Sequence, residues 1–516
     1  MKWNKNSIFY HCLLLSSSSV ILELLGFVYR ILLGRFAGAQ AIAIHGLVMS
    51  AYNVVLSCTL TGVALSVSRI ASSYSALGQG RSVIRLIRTA LFLFLSLFCL
   101  LAVPFARNRT FFAERVLGNA QTRSALLFLI PCLFLTGFEN VHKAFFYGTG
   151  QTMIPTVSET LEMLCRIGAA IFLFQMTANR QLSDGAAAAM IVCGMIFSEI
   201  VSASFLVCTY HRRKGKMKGK DEVTQLQILK DIASVAVPVS LSTLIGRLIS
   251  SANMVLIPQI LMRSGNNRSA AMEQFGIISG MTMPMLMLPS AFLSPLITVL
   301  SPRFSAGKSL ENDTMIRRKA AKALHIVGLI GIPSMTLMLI FGRRLGELLY
   351  HNPSVGNHLP ILTLITLLGF YYAVSESILE SIGMQKRCSV LTVAASMLGL
   401  ICTLMLGGAM KWGMEGFLLG ELLSSLLGAG CCVLWLKKET ELCIRWKNWL
   451  LRPLFAAVLS GLWVRLISYA LDSVFCSPVL SLGLCVAVFL AGYLCFLRLL
   501  GTDFWKYTKN TLVYRL

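Results

Sequence analysis

Twelve ionisable side chains stand inside or at the edges of long apolar runs: Glu23, Arg30, Arg35, Glu139, Glu162, Arg166, Glu199, Arg247, Glu376, Glu380, Glu421 and Arg465. Charge in hydrocarbon is costly, so such groups face a cavity, pair with one another, or reach for the interface. Arginine offers permanent, multidentate recognition of phosphate oxygens, whereas carboxyls can take up a proton or a cation. Glu23 and Arg30 are two helical turns apart and share a face. They and Arg247, which follows Gly246, are expected to line a polar cavity. Arg35, beside the turn at residues 37–40, is expected to snorkel. Glu162 and Arg166 have the i, i+4 spacing of a helical ion pair, either structural or cavity-lining. Glu376 and Glu380 share a face and are candidates for holding a coupling ion. Glu199 and Glu421 read as packing or capping features near helix ends.

Other chemistries find little support. No GxxxxGK[ST] nucleotide loop, GxSxG elbow or HExxH pair occurs, so neither an ATP-driven pump nor an enzyme is expected. The 15 cysteines lie mostly in apolar segments without a CxxC pair, which predicts neither a disulfide framework nor a metal site. His45, His142 and His325 lack ligand spacing, and the methionines of GMTMPMLML read as adaptable packing. No cofactor is expected.

The elements that must carry these charges are membrane helices. Of 516 residues, 56% are hydrophobic and only 13% charged, and the mean hydropathy is +0.73. A soluble chain of this length needs far more polar surface. Apolar runs predict about fourteen spans, centred near residues 18, 54, 94, 135, 167, 198, 242, 285, 330, 369, 399, 425, 460 and 488. The first reads as a retained span, because no small-residue cleavage site follows MKWNKN. The net charge of +24 gathers in loops such as RRKGKMKGK (212–220), RRKAAK (317–322) and LKKETELCIRWK (436–447). That pattern fits orientation and anionic lipids, with both termini cytoplasmic, better than nucleic acid. One loop breaks the rule: Arg107, Arg109, Arg115 and Arg123 fall on the side expected to be external, unless a helix is miscounted there.

Segments 44–69 and 278–303 align without a gap, matching Gly46 with Gly280 and Arg69 with Arg303. Segments 194–202 and 416–424 match Glu199 with Glu421 and Ser202 with Ser424, and ELLG (23–26) precedes its repeat as TLIG (243–246) does. The order predicts two parallel six-helix lobes, 1–211 and 227–440. A cytoplasmic basic linker at 212–226 joins them, and two further spans with a tail occupy 441–516. Parallel lobes of this kind place a substrate between them and rock. Pro284, Pro289 and Pro295 should bend the eighth span.

Three stretches carry a resemblance: LLGFVYRILLGRFAG (24–38), YGTGQTMIPTVSETLEMLCRIG (147–168) and FGIISGMTMPMLMLPSAFLSPLITVLSPRFSA (275–306). They resemble the polysaccharide-transporter branch of the multidrug/oligosaccharidyl-lipid/polysaccharide exporter superfamily, notably its sporulation-associated members and the lipid II flippases. The resemblance implies an all-α polytopic flippase of the cytoplasmic membrane that moves a polyprenyl-pyrophosphate saccharide by alternating access, in cell-wall, spore-cortex or polysaccharide assembly. It implies substrate-binding roles for Arg30, Arg69, Arg247, Glu23, Glu162 and Arg166. Cell-wall synthesis proteins are candidate partners. The chain departs from the lipid II flippases at Glu23 and Tyr29, where those relatives commonly carry arginine. Two other readings compete: a cation-coupled multidrug exporter, and a non-transporting membrane scaffold for cell-wall enzymes.

Overall fold

The computed structural model describes residues 8–177, 182–215, 223–309, 313–442, 446–474 and 477–501. Inside hydrocarbon every backbone amide must be satisfied within its own segment, and this chain answers with helices throughout. Among the described residues there is no strand, and the helices group into fourteen rods. They are α1 (Ile8–Phe36), α2 (Gly38–Ala76), α3 (Gly80–Arg107), α4 (Thr122–Gly148), α5 (Met153–Met176), α6 (Asp184–Lys214) and α7 (Gln225–Arg263). There follow α8 (four pieces within 268–309), α9 (Asp313–Tyr350), α10 (Leu359–Ser381), α11 (Gln385–Ala409), α12 (Met414–Thr440), α13 (Arg452–Val474) and α14 (Pro478–Leu499). Each expected span centre falls within one rod. The chain is an all-α polytopic membrane protein: twelve rods are long and apolar enough to cross a bilayer. The other two are informative. Helix α5 carries Glu159, Glu162 and Arg166, and α8 is broken.

The break in α8 lies where its prolines predict it. Helix stops after Leu286 and restarts at Ser290, and the intervening residues close three-residue turns such as Ser290 N–H to the Met287 carbonyl at 2.9 Å. Proline has no amide hydrogen to continue the ladder. The arginine-rich segment after α3 forms only the short pieces Arg109–Phe111 and Phe112–Val116, so it hides no further span.

Contacts divide the chain into two units, Met1–Met281 with Thr403–Gly416, and Thr282–Cys402 with Phe417–Leu516. In the first, α4 and α5 both pack along α6, α1 lies on α5, and α2 touches α4, α6 and α7. Tyr29, Leu33, Ala170, Phe174 and Ile191 form a core where α1, α5 and α6 meet. Gly148 lets the end of α4 close on α2: a Cβ there would stand 2.5 Å from the Ser68 carbonyl oxygen. Gly150 completes the turn into α5 at φ +75°, a conformation that favours glycine. In the second unit α13 and α14 pack as a pair with α9, around Leu329, Phe341, Ala457, Val464, Phe489 and Tyr493. Residues 216–222 of the basic linker, and residues 1–7 and 502–516 at the termini, lie outside the described part.

Candidate functional site

The charges of α4, α5 and α6 converge inside the first unit. On α4, Glu139 and Lys143 are one turn apart, and Lys143 Nζ lies 2.6 Å from Glu139 Oε1. On α5, Ser158, Glu162 and Arg166 recur at four-residue steps and Glu159 stands three before Glu162, which places them along one stripe. Lys143 reaches across to Glu162 Oε2 at 3.3 Å and Glu159 Oε1 at 3.7 Å. Arg166 Nη2 pairs with Glu162 Oε1 and lies 3.8 Å from Glu199 Oε1 on α6. Its Nε donates to Ser198 Oγ at 3.2 Å. Ser202 donates to Glu139, and its hydroxyl meets Ser158 Oγ at 2.6 Å.

The expected Glu162–Arg166 pair is therefore present and belongs to a network that spacing alone did not reveal. Glu199 is not near a helix end: it stands midway along α6 with its side chain 4% exposed. Lys143 and Glu159 were missed at the sequence level, although Glu139-x-x-x-Lys143 has the same spacing as Glu162-x-x-x-Arg166. Four carboxyls face two cations here, so at least one carboxyl lacks a full counter-charge. One oxygen of Glu199 is buried with no hydrogen-bond partner. Oxygens of Glu139, Glu162 and Glu199 lie within 4.8 Å of one another, close enough to hold an ion. Lys143 and Arg166 already occupy acceptors that a metal would need, so the set fits an ion-pair network better than a metal centre.

Arg30, Arg69 and Arg247 are not part of this network. Each is exposed on the first unit and engages no described residue in a hydrogen bond or ion pair. Glu23 is half-buried on α1. Tyr29 is buried in the α1–α5–α6 core. The Arg303 side chain, the repeat equivalent of Arg69, lies outside the described part. In the second unit Glu376 accepts from Thr392 Oγ1 at 2.7 Å and Tyr372 OH at 3.1 Å, while Glu380, a turn later, is exposed.

Comparisons with known proteins agree with this architecture. A family model described as polysaccharide biosynthesis protein matches residues 11–308. Stage V sporulation protein B of Bacillus subtilis (strain 168) is 25% identical over 72% of this chain and 72% of its own. Sporulation protein YkvU of the same organism is 21% identical over 81% of this chain and 94% of its own. Among solved structures, the lipid II flippase MurJ in an inward closed conformation shares the fold at a TM-score of 0.64, covering 97% of this chain and all of its own, with 13% identity. An inward-facing multidrug resistance MATE family transporter does so at 0.65, covering 81% and 94%, with 16% identity.

Proposed function

The chain belongs to the polysaccharide biosynthesis protein family, and from that premise we propose that it is a flippase for a lipid-linked oligosaccharide or peptidoglycan precursor. The observation that carries the reading is the set of unpartnered arginines, Arg30, Arg69 and Arg247, on a unit made of membrane helices. A guanidinium left without a protein counter-charge at membrane depth is suited to a ligand that brings its own negative charge. A pyrophosphate headgroup supplies that charge, and its polyprenyl tail stays in lipid. The chain works in the cytoplasmic membrane with both termini inside. In this cycle the expected lobes, 1–211 and 227–440, move to expose the arginines alternately to either side, with 441–516 as an addition; Arg247 on α7 belongs to the second lobe by chain order but packs with the first contact unit. Glu23 tempers the positive field beside Arg30, which favours a cargo less anionic than that of relatives with arginine there. Glu376 and Glu380 are the acceptors for a coupling ion.

No step in this cycle makes or breaks a covalent bond, so the protein is a transporter and not an enzyme. A multidrug exporter shares the fold, and the surplus of buried carboxyls favours that second reading. Proteoliposomes containing a fluorescent polyprenyl-pyrophosphate saccharide in one leaflet separate the two. The proposal expects protein-dependent movement of the glycolipid. Movement of cationic dyes alone would replace it with the exporter reading.

A further inference from the structure

The arginines that break the positive-inside pattern meet in one place. Arg109, just past the end of α3, and Arg123, in the first turn of α4, line an open cavity of about 450 Å³. Ser124, Ser183 and Leu127 complete its wall, and the first turn of α6 forms one side. The wall is built: Ser124 Oγ donates to the Gly185 carbonyl at 3.1 Å, and Ser183 Oγ accepts from the Ala186 amide at 3.3 Å. Neither guanidinium has a hydrogen bond or ion pair with any described residue. The nearby acids, Glu114 and Asp184, do not line the cavity. The amino-terminal end of α6 adds its positive dipole to the two charges.

We propose that this cavity binds the phosphate of an anionic phospholipid headgroup. Depth favours a lipid over a soluble anion, because Arg109 and Arg123 stand at the ends of two spans, the level of headgroups. The apolar rim favours it too: Leu127, which lines the cavity, is 45% exposed, and Phe111, Val116 and Phe128 are exposed nearby. Acyl chains would lie against that rim while the phosphate sits between the guanidiniums. Two of the four arginines here, Arg109 and Arg123, then have a reason to stand on a face where the orientation rule disfavours them.

Native mass spectrometry of the full chain, released from nanodiscs of mixed phosphatidylglycerol and phosphatidylcholine, tests this. The wild type should retain phosphatidylglycerol preferentially, and Arg109→Ala with Arg123→Ala should lower that retention. Basic side chains at a lipid surface contribute about fivefold each, so roughly twenty-five-fold for the pair. Arg115→Ala, exposed but outside the cavity, should leave retention unchanged. Melting temperature separates lost lipid from lost fold, and the single Arg123→Gln exchange gives a fivefold version of the same result. Equal retention by wild type and double variant overturns the site. Displacement of the lipid by millimolar inorganic phosphate overturns the lipid assignment in favour of a free anion.

Discussion

Lys143 and Arg166 each serve two or more carboxylates, one on their own helix and the rest on a neighbouring one, which makes them the two residues whose loss leaves the most charge uncompensated. Removing one partner of a buried ion pair typically costs about 3–5 kcal/mol. Arg166→Ala should therefore lower the melting temperature of the detergent-solubilised protein sharply, and Arg166→Met combined with Glu162→Gln should recover much of the loss. Glu199→Gln is expected to cost little, because it removes negative charge from a cluster that has an excess; a loss as large as that of Arg166→Ala would contradict the charge count. The pair within α5 was legible from its four-residue spacing. Its connection to Glu139 and Glu199 was not, because spacing along one helix says nothing about which faces of three helices meet. Arg30 and Arg247 were legible as charges in apolar runs, but spacing could not show that they would stand apart from the buried network.

Helices and their interruptions were the most legible level. Every expected span centre fell within a rod because a twenty-residue apolar run has few alternatives in a bilayer. The two rods that fall short of a simple apolar span do so for reasons written in the sequence: three charges in α5, and prolines 284 and 289 in α8. Close packing was less legible, since Gly148 looks like any loop-flanking glycine until α2 is placed beside it. Gly148→Ala should cost about 1–3 kcal/mol through overpacking against the Ser68 carbonyl, seen as a lowered melting temperature with helix content unchanged. Pro289→Ala should extend helix across the Met287–Pro289 turn and slow glycolipid movement with little change in thermal stability. Unaltered rates would mean that the break serves packing alone.

The whole molecule is a membrane protein whose fold is shared by flippases and drug exporters alike, so architecture cannot choose the cargo; the charges must. The orientation proposed from the basic loops predicts that Glu114→Cys in a cysteine-free background reacts with a membrane-impermeant maleimide added to intact cells, while Gln79→Cys does not. The reverse labelling would invert the topology and move the headgroup site to the other leaflet. The most direct test of the central claim is the initial rate of polyprenyl-pyrophosphate saccharide movement in proteoliposomes carrying Arg30→Ala or Arg247→Ala. The account predicts that each variant folds normally, since neither side chain is paired, yet loses at least about tenfold in rate, the size of a lost charge-assisted contact of 1.5–3 kcal/mol. Full wild-type rates in both variants would contradict it.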